Sequence, residues 1–308
     1  MRPVSLLKAL PLVAMLAGTA HADCASATAS LDAAIQARDA AGIVKTASAL
    51  LNEAACPGAE RLEQGRRSAI ALARIAEPLP VPERRRLLNS ALQLSPTLWL
   101  AHARLGQLDY EAREYAEAQG RFERALAYLN DPQISPEKPP PGTLENLRGY
   151  AQQARLLAVK NSRGDSGILD VKELRGGIKV RRAPVPVRFD YEKAEFTDVG
   201  RRDAAFLRDI LRDKQDPAIL LVGHTDPKGA DDYNCDLSWR RMQALADFLR
   251  RQGYRGPIEM IAMGKRQPLP IIGRENHSED EIHQMLRRVE FYLPGDEKPE
   301  TANACRRS

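Results

Sequence analysis

Ile219-Leu220-Leu221-Val222-Gly223-His224-Thr225-Asp226 is an apolar run that ends in a glycine and a short polar loop. Four apolar residues in succession predict a strand buried on both faces, and the polar loop must follow at its carboxy end. Downstream come Gly229, Tyr233-Asn234, Leu237-Ser238 and Arg240-Arg241, then Met242, Leu245 and Leu249 at helical spacing. Ser238 is expected to cap that helix, which puts Arg241 in its first turn, fifteen residues after Asp226. A carboxylate at a strand end and a guanidinium at a helix start can grip a zwitterion. The carboxylate accepts from an ammonium while the guanidinium forks onto a carboxylate.

Around this unit the chain alternates strand and helix. Val185-Val187-Phe189 predicts a first strand, and Thr197 a cap for a helix carrying Val199, Phe206, Leu207, Ile210 and Leu211. Ile258-Met260-Ile261 and Val289-Phe291-Leu293 predict the third and fourth strands. The expected arrangement is βαβαββ, an α+β sheet with helices on one face.

These landmarks resemble the OmpA-like peptidoglycan-binding family over roughly 185–295. They are Phe189-Asp190, Gly223-His224-Thr225-Asp226, Gly229, Asn234, Leu237-Ser238, Arg241, Gly264-Lys265, Pro268 and Arg287-Arg288-Val289-Glu290-Phe291. The resemblance implies that the ligand is the diaminopimelate of the wall peptide. It implies that Asp226 takes the ammonium and Arg241 the carboxylate, that Asn234 shapes the loop and donates to the ligand, and that Arg287 adds a second positive charge. Thr225 and the backbone near Gly229 complete the cradle. Two positions depart from the family: Leu286 where asparagine is usual, and Glu192 where asparagine is frequent. A capping aspartate and an exposed ion pair would contribute only about 0–1 kcal/mol, and it is the landmarks together that favour a ligand site. His224 is expected to hydrogen-bond within the loop, and His277 and His283 to lie on the surface. No metal or other cofactor is expected, because the histidines show no ligand spacing.

From Ser26 to about Lys160 apolar residues recur at helical spacing with almost no strand signal, as in Leu31-Ala34-Ile35, Ile43-Ala47-Leu50-Leu51 and Ile70-Leu72-Ile75. Asp39 and Gly42 mark the first turn, and Pro78, Pro80 and Pro82 separate the third helix from the fourth. Leu88, Ala91 and Leu92 return thirty-four positions later as Phe122, Ala125 and Leu126. With Leu105-Gly106, Tyr115 and Ala118, this stretch resembles the tetratricopeptide consensus over Leu98 to Asp131, and partially over 59–97. Such repeats present a groove to a protein, here an unidentified envelope partner. A generic helical bundle is the competing reading. Leu144 to Val159 is expected to be the solvating last helix, after a proline-rich excursion.

Arg2 and Lys8, the short apolar run Ala9 to Ala20 and the small-residue site Ala20-His21-Ala22 read as an export signal, 1–22. No segment reaches the roughly 20 apolar residues of a membrane span. The remaining parts are a helical tetratricopeptide-like domain, 23–160, a linker, 161–184, the OmpA-like domain, 185–296, and a tail, 297–308. The net charge of +5 is too mild to imply nucleic acid. Four cysteines in an exported chain imply disulfides. Three connectivities exist, and proximity favours Cys24–Cys56 and Cys235–Cys305. With the cysteines so used, nothing supplies a nucleophile–base pair or a metal trio, and an enzyme is not expected. The sequence thus predicts a periplasmic adaptor, peripheral to the outer membrane, that binds peptidoglycan and a second envelope protein. The alternative is a scaffold whose OmpA-like domain no longer meets the wall.

Overall fold

The computed structural model describes residues 16–158, 187–296 and 300–306, with side chains from Cys24 onward. The expected linker, 161–184, whose stretch Ile168 to Val180 suits a short hairpin by its apolar spacing and whose end carries Lys179, Arg181 and Arg182, and most of the expected export signal lie outside the described residues. Two compact units divide the chain, Met1–Leu108 and Asp109–Ser308.

The first unit is helical: α1 (Leu16–Gln36), α2 (Ala40–Leu51), α3 (Gly58–Ala76), α4 (Val81–Leu94) and most of α5 (Trp99–Glu111). Asp39 caps α2 by accepting from the Gly42 backbone N–H at 3.0 Å, so the turn falls where the sequence put it. Each of α1, α2 and α3 packs against the next helix. The core gathers Leu31, Ile43, Ala47, Leu50, Leu72, Leu88, Ala91 and Leu105. Cys24–Cys56 ties α1 to the loop before α3.

The second unit begins inside α5, within the stretch that carries the tetratricopeptide resemblance. The reading of one helical domain over 23–160 therefore differs from the compact units, because α6 (Tyr115–Leu129) and α7 (Thr143–Leu157) group with the sheet. Phe122 of α6 stacks on Tyr150 of α7, ring centres 5.3 Å apart. The expectation of a solvating last helix is corrected: α7 buries Leu147, Ala151, Gln153, Ala154, Arg155, Leu156 and Leu157. The reason is a polar seam. Arg155 pairs with Asp203 at 3.2 Å, and the Leu156 carbonyl accepts from Arg188 at 3.1 Å and from Gln284 at 3.0 Å.

The sheet runs β1 (Val187–Arg188), β4 (Arg288–Tyr292), β2 (Ile219–His224), β3 (Ile258–Gly264) in spatial order. β2 and β3 are parallel, joined through α9 (Asp231–Arg251), and β4 is antiparallel to β1 and β2. α8 (Asp198–Asp213) follows β1, and Thr197 caps it as expected, accepting from the Gly200 N–H at 2.9 Å. Leu207, Leu211, Met242, Leu245 and Leu249 from α8 and α9 meet Leu221, Val289 and Phe291 on one face of the sheet. On the other face lie Leu220, Val222 and Met263, as the side-chain period of two requires. The expected βαβαββ order gains one element. A short helix, α10 (Glu279–Leu286), precedes β4, opened by a capping box in which Ser278 and Glu281 bond reciprocally. His277 and His283 are consequently not surface residues, since the His277 side chain is 3% exposed and His283 is buried.

Candidate functional site

The loop after β2 is shaped from several directions. Thr225 N–H donates to the Gly264 carbonyl at 2.9 Å, and Asp226 Oδ1 accepts from the Lys228 N–H at 3.1 Å. Gly229 has φ +86°, a left-handed conformation that glycine adopts without a steric cost. Asn234 donates to the Lys228 carbonyl at 2.8 Å and to the Ala230 carbonyl at 3.0 Å. Both of its amide hydrogens are thereby used, so Asn234 shapes the loop but has none left to donate to a ligand, contrary to the expectation. Beneath the loop, α9 lies so close to β2 that a Cβ on Gly223 would come within 2.6 Å of the Ser238 carbonyl.

That approach explains a second correction. Ser238 does not cap α9; the helix starts seven residues earlier, behind Ala230, with Asp231 and Asp232 in its first turn. Ser238 is mid-helix and fully buried, and its Oγ accepts from the Gly264 N–H at 3.3 Å. Arg241 therefore sits in the third turn and has no exposed surface. Its Nε donates to the Lys193 carbonyl at 3.0 Å and its Nη2 to the Asp190 carbonyl at 3.1 Å, with the His224 carbonyl 3.5 Å from Nη1. These bonds pin the 190–195 turn, in which Glu192 takes a left-handed φ of 57°. Burial, and then the neighbouring Arg287, bring the Arg241 guanidinium down to about 10, while Asp226 acts to raise it.

Four of the five ligand residues expected from the sequence, Thr225, Asp226, Asn234 and Arg241, line one cavity of about 40 Å³, together with Glu192 and Tyr233. A water needs roughly 10–15 Å³ by this measure, so the space suits a small head group. Arg287 enters from the carboxy cap of α10, not from within β4, and its Nη1 meets Asp226 Oδ2 at 3.1 Å. Thr225 lines this cavity, and its Oγ1 is buried without a hydrogen-bond partner. Of the two departures from the family, Glu192 lines the cavity, whereas Leu286 is buried.

Behind the site, on the face opposite α8 and α9, sequence reasoning missed a buried polar cluster. Glu290 accepts from Arg288 Nε and from the Tyr292 hydroxyl, both at 2.7 Å. His224 Nε2 lies 3.8 Å from Glu290, and neither ring nitrogen makes a well-formed hydrogen bond. The expectation that His224 bonds within the loop is thus corrected. Arg188, whose charge alone would place it in solvent, is buried against Asp203 at 3.3 Å. The single signal that could have exposed this cluster is the alternation Arg288-Glu290-Tyr292, which puts three polar residues on one face of a strand whose other face is apolar.

The cluster sets an acid response. Burial, and then Arg288, push the His224 imidazole down to about 3. Burial acts to raise Glu290, but Arg288, His224 and Tyr292 outweigh it and bring the carboxyl down to about 2. Both folded values lie below the unfolded ones, so each contribution is complete above the unfolded pKa and is lost as pH falls toward the folded pKa. His224 acts from about pH 6.5 downward and Glu290 from about 4.5 downward. By pH 4.5 the unit is expected to lose about 2–3 kcal/mol through His224. Urea midpoints measured from pH 7.5 to 4.5 test this, with His224→Leu flattening the slope. A slope that survives the substitution would assign the sensitivity elsewhere.

The fold defines an α+β domain with a small, polar-lined cavity at the carboxy end of β2. A segment of the chain is 37% identical over 75 residues to the peptidoglycan-associated lipoprotein of Legionella pneumophila, covering 24% of this chain and 39% of that protein. Another similarity is to outer membrane porin F of Pseudomonas aeruginosa, 28% identical over 122 residues, with 39% of this chain and 33% of the porin covered. Outer membrane protein A of Escherichia fergusonii is 29% identical over 111 residues, covering 35% and 44%. The chain thus spans less than half the length of each of these curated relatives. Among solved structures, the peptidoglycan-associated lipoprotein of Burkholderia pseudomallei aligns over 38% of this chain and 95% of its own, at 24% identity and a TM-score of 0.32. The OmpA-like domain of FopA1 from Francisella tularensis aligns over 34% and 68%, at 19% identity and a TM-score of 0.28. No protein-family model matches the chain. The sequence similarities support the OmpA-like reading, and these relatives are named for the wall and the outer membrane, not as enzymes. The tetratricopeptide likeness rests on the sequence pattern alone. Among the described residues no helix is long and apolar enough to cross a membrane.

Proposed function

We propose that the chain is a non-enzymatic periplasmic adaptor, peripheral to the outer membrane, that holds peptidoglycan non-covalently through diaminopimelate. The observation that carries this reading is the meeting of Asp226, Arg241 and Thr225 along one small cavity. The ammonium of a diaminopimelate head group goes to Asp226. Its carboxylate sits at the cavity wall that the buried Arg241 guanidinium lines from behind, with Arg287, the more exposed cation, beside it. Each charge-assisted contact contributes about 1.5–3 kcal/mol, and the many identical stems of a polymeric wall multiply a modest single-site affinity. The helical repeats dock a second envelope protein, a role for which the concave surface of such repeats is suited.

Asp226→Asn keeps the bond from Lys228 and removes the charge that an ammonium needs. Retention by purified diaminopimelate-type sacculi is expected to fall at least about tenfold, with the far-ultraviolet circular dichroism unchanged. Retention equal to that of the unmodified chain would end this reading. It would favour the scaffold alternative, for which Glu192 is the remaining motive, since Leu286 does not reach the cavity.

A further inference from the structure

Arg287, the second cation of the site, stands at the carboxy cap of α10, a helix of eight residues. Isolated helices of that length do not hold themselves in water, so besides β4, which begins at the next residue, contacts from outside must fix the helix that leads into Arg287. Besides its own capping box and its apolar face, α10 receives those contacts from the helical segment that precedes the sheet. Glu281 Oε1 accepts from Arg113 Nη1 at 2.7 Å and from the Tyr115 hydroxyl at 3.1 Å, while Oε2 closes the capping box. Just ahead of the helix, His277 Nε2 and the Tyr110 hydroxyl are 3.0 Å apart, and that hydroxyl also donates to Gln153 at 3.0 Å. Gln284 reaches the Leu156 carbonyl near the other end.

The turn between α5 and α6 gives a second sign. Arg113 has a φ of 62°, a conformation that glycine fills without strain and arginine does not. An arginine stands at this left-handed position, and its side chain reaches α10 through Glu281.

We infer that Arg113 and Tyr115 are positioning residues of the wall-binding site, acting through Glu281 and α10 to hold Arg287 against Asp226. The inference rests on the proposed role of that site. The helical segment from Asp109 to Leu157 is then part of the receptor and not a separate module tethered to it.

The test uses Arg113→Gly with Tyr115→Phe in the full chain. Glycine relieves the turn, so the unfolding midpoint stays level or rises, where a merely structural loss would lower it. Sacculus capture weakens about two- to fivefold, the range of an exposed charged contact. In an Arg287→Ala background the same pair of substitutions has no further effect, because the residue they position is gone. A loss of equal size in that background, or no loss at all, overturns the inference. The Arg287 Nε–Hε resonance of the ligand-free chain gives an independent readout. It shifts on Arg113→Gly with Tyr115→Phe, and an unchanged resonance also overturns the inference. This measurement needs no wall ligand. A chain that never bound sacculi would refute the proposed function and leave the positioning measured.

Discussion

Asp203→Ala is expected to lower the stability of the carboxy-terminal unit by about 3–5 kcal/mol, the usual cost of leaving buried charges without their partner. Asp203 of α8 stands between two guanidiniums, Arg155 of α7 on Oδ1 at 3.2 Å and Arg188 of β1 on Oδ2 at 3.3 Å. All three side chains are below 10% exposed. Burial already lowers the Arg188 guanidinium, and Asp203 is the chief opposing influence. Without the carboxylate, among the described residues Arg188 retains the Leu156 carbonyl, and Arg155 retains a long approach to Glu123 at 3.8 Å and the Phe206 ring at 5.7 Å. Guanidinium chloride denaturation followed by tryptophan fluorescence measures the change. A difference below about 1 kcal/mol, the scale of solvated ion pairs, would mean that water reaches these guanidiniums.

Arg241→Ala is expected to abolish sacculus capture and to destabilise the unit at the same time, by about 2–4 kcal/mol. The residue is fully buried, its fork is spent largely on main-chain carbonyls, and its guanidinium lies 5.5 Å from the Phe189 ring centre. Alanine leaves a void and frees the 190–195 turn that forms one wall of the cavity. Asp226→Asn separates the two roles, because it removes binding while the chain stays folded. Arg241→Lys sharpens the comparison: it keeps the charge but cannot span the carbonyls of Lys193 and Asp190 together, so it is expected to recover little of either property. Capture retained in Arg241→Ala, measured beside its thermal midpoint, would remove the guanidinium from the site.

The β2 strand, its loop and the closing β4 strand were legible because local pattern dictates them. An apolar run of four cannot face water, and Thr225 and Asp226 must then emerge at the strand end. Both cysteine pairs also followed from chain proximity. What escaped depended on distant partners. Ser238 looks like a cap because small hydroxyl residues favour caps, but its hydroxyl is used by Gly264, twenty-six residues away. Arg188 and Arg155 look solvated until Asp203 is placed between them. α10 is a different sort of miss, since Ser278-Glu279-Asp280-Glu281 spells a capping box that could have been read directly. The consequence was to misplace His277, His283 and the origin of Arg287.

The bond between Cys235 and Cys305 joins α9, one residue after Asn234, to a position 70 residues later. Cys305 also donates its N–H to the Ala262 carbonyl of β3 at 2.8 Å. Oxidation can occur only once β3, α10 and β4 have all been synthesised, which makes this covalent clasp a late checkpoint in maturation. A chain cut short of Cys305 would leave Cys235 without its partner, one residue from Asn234 and the loop that it shapes.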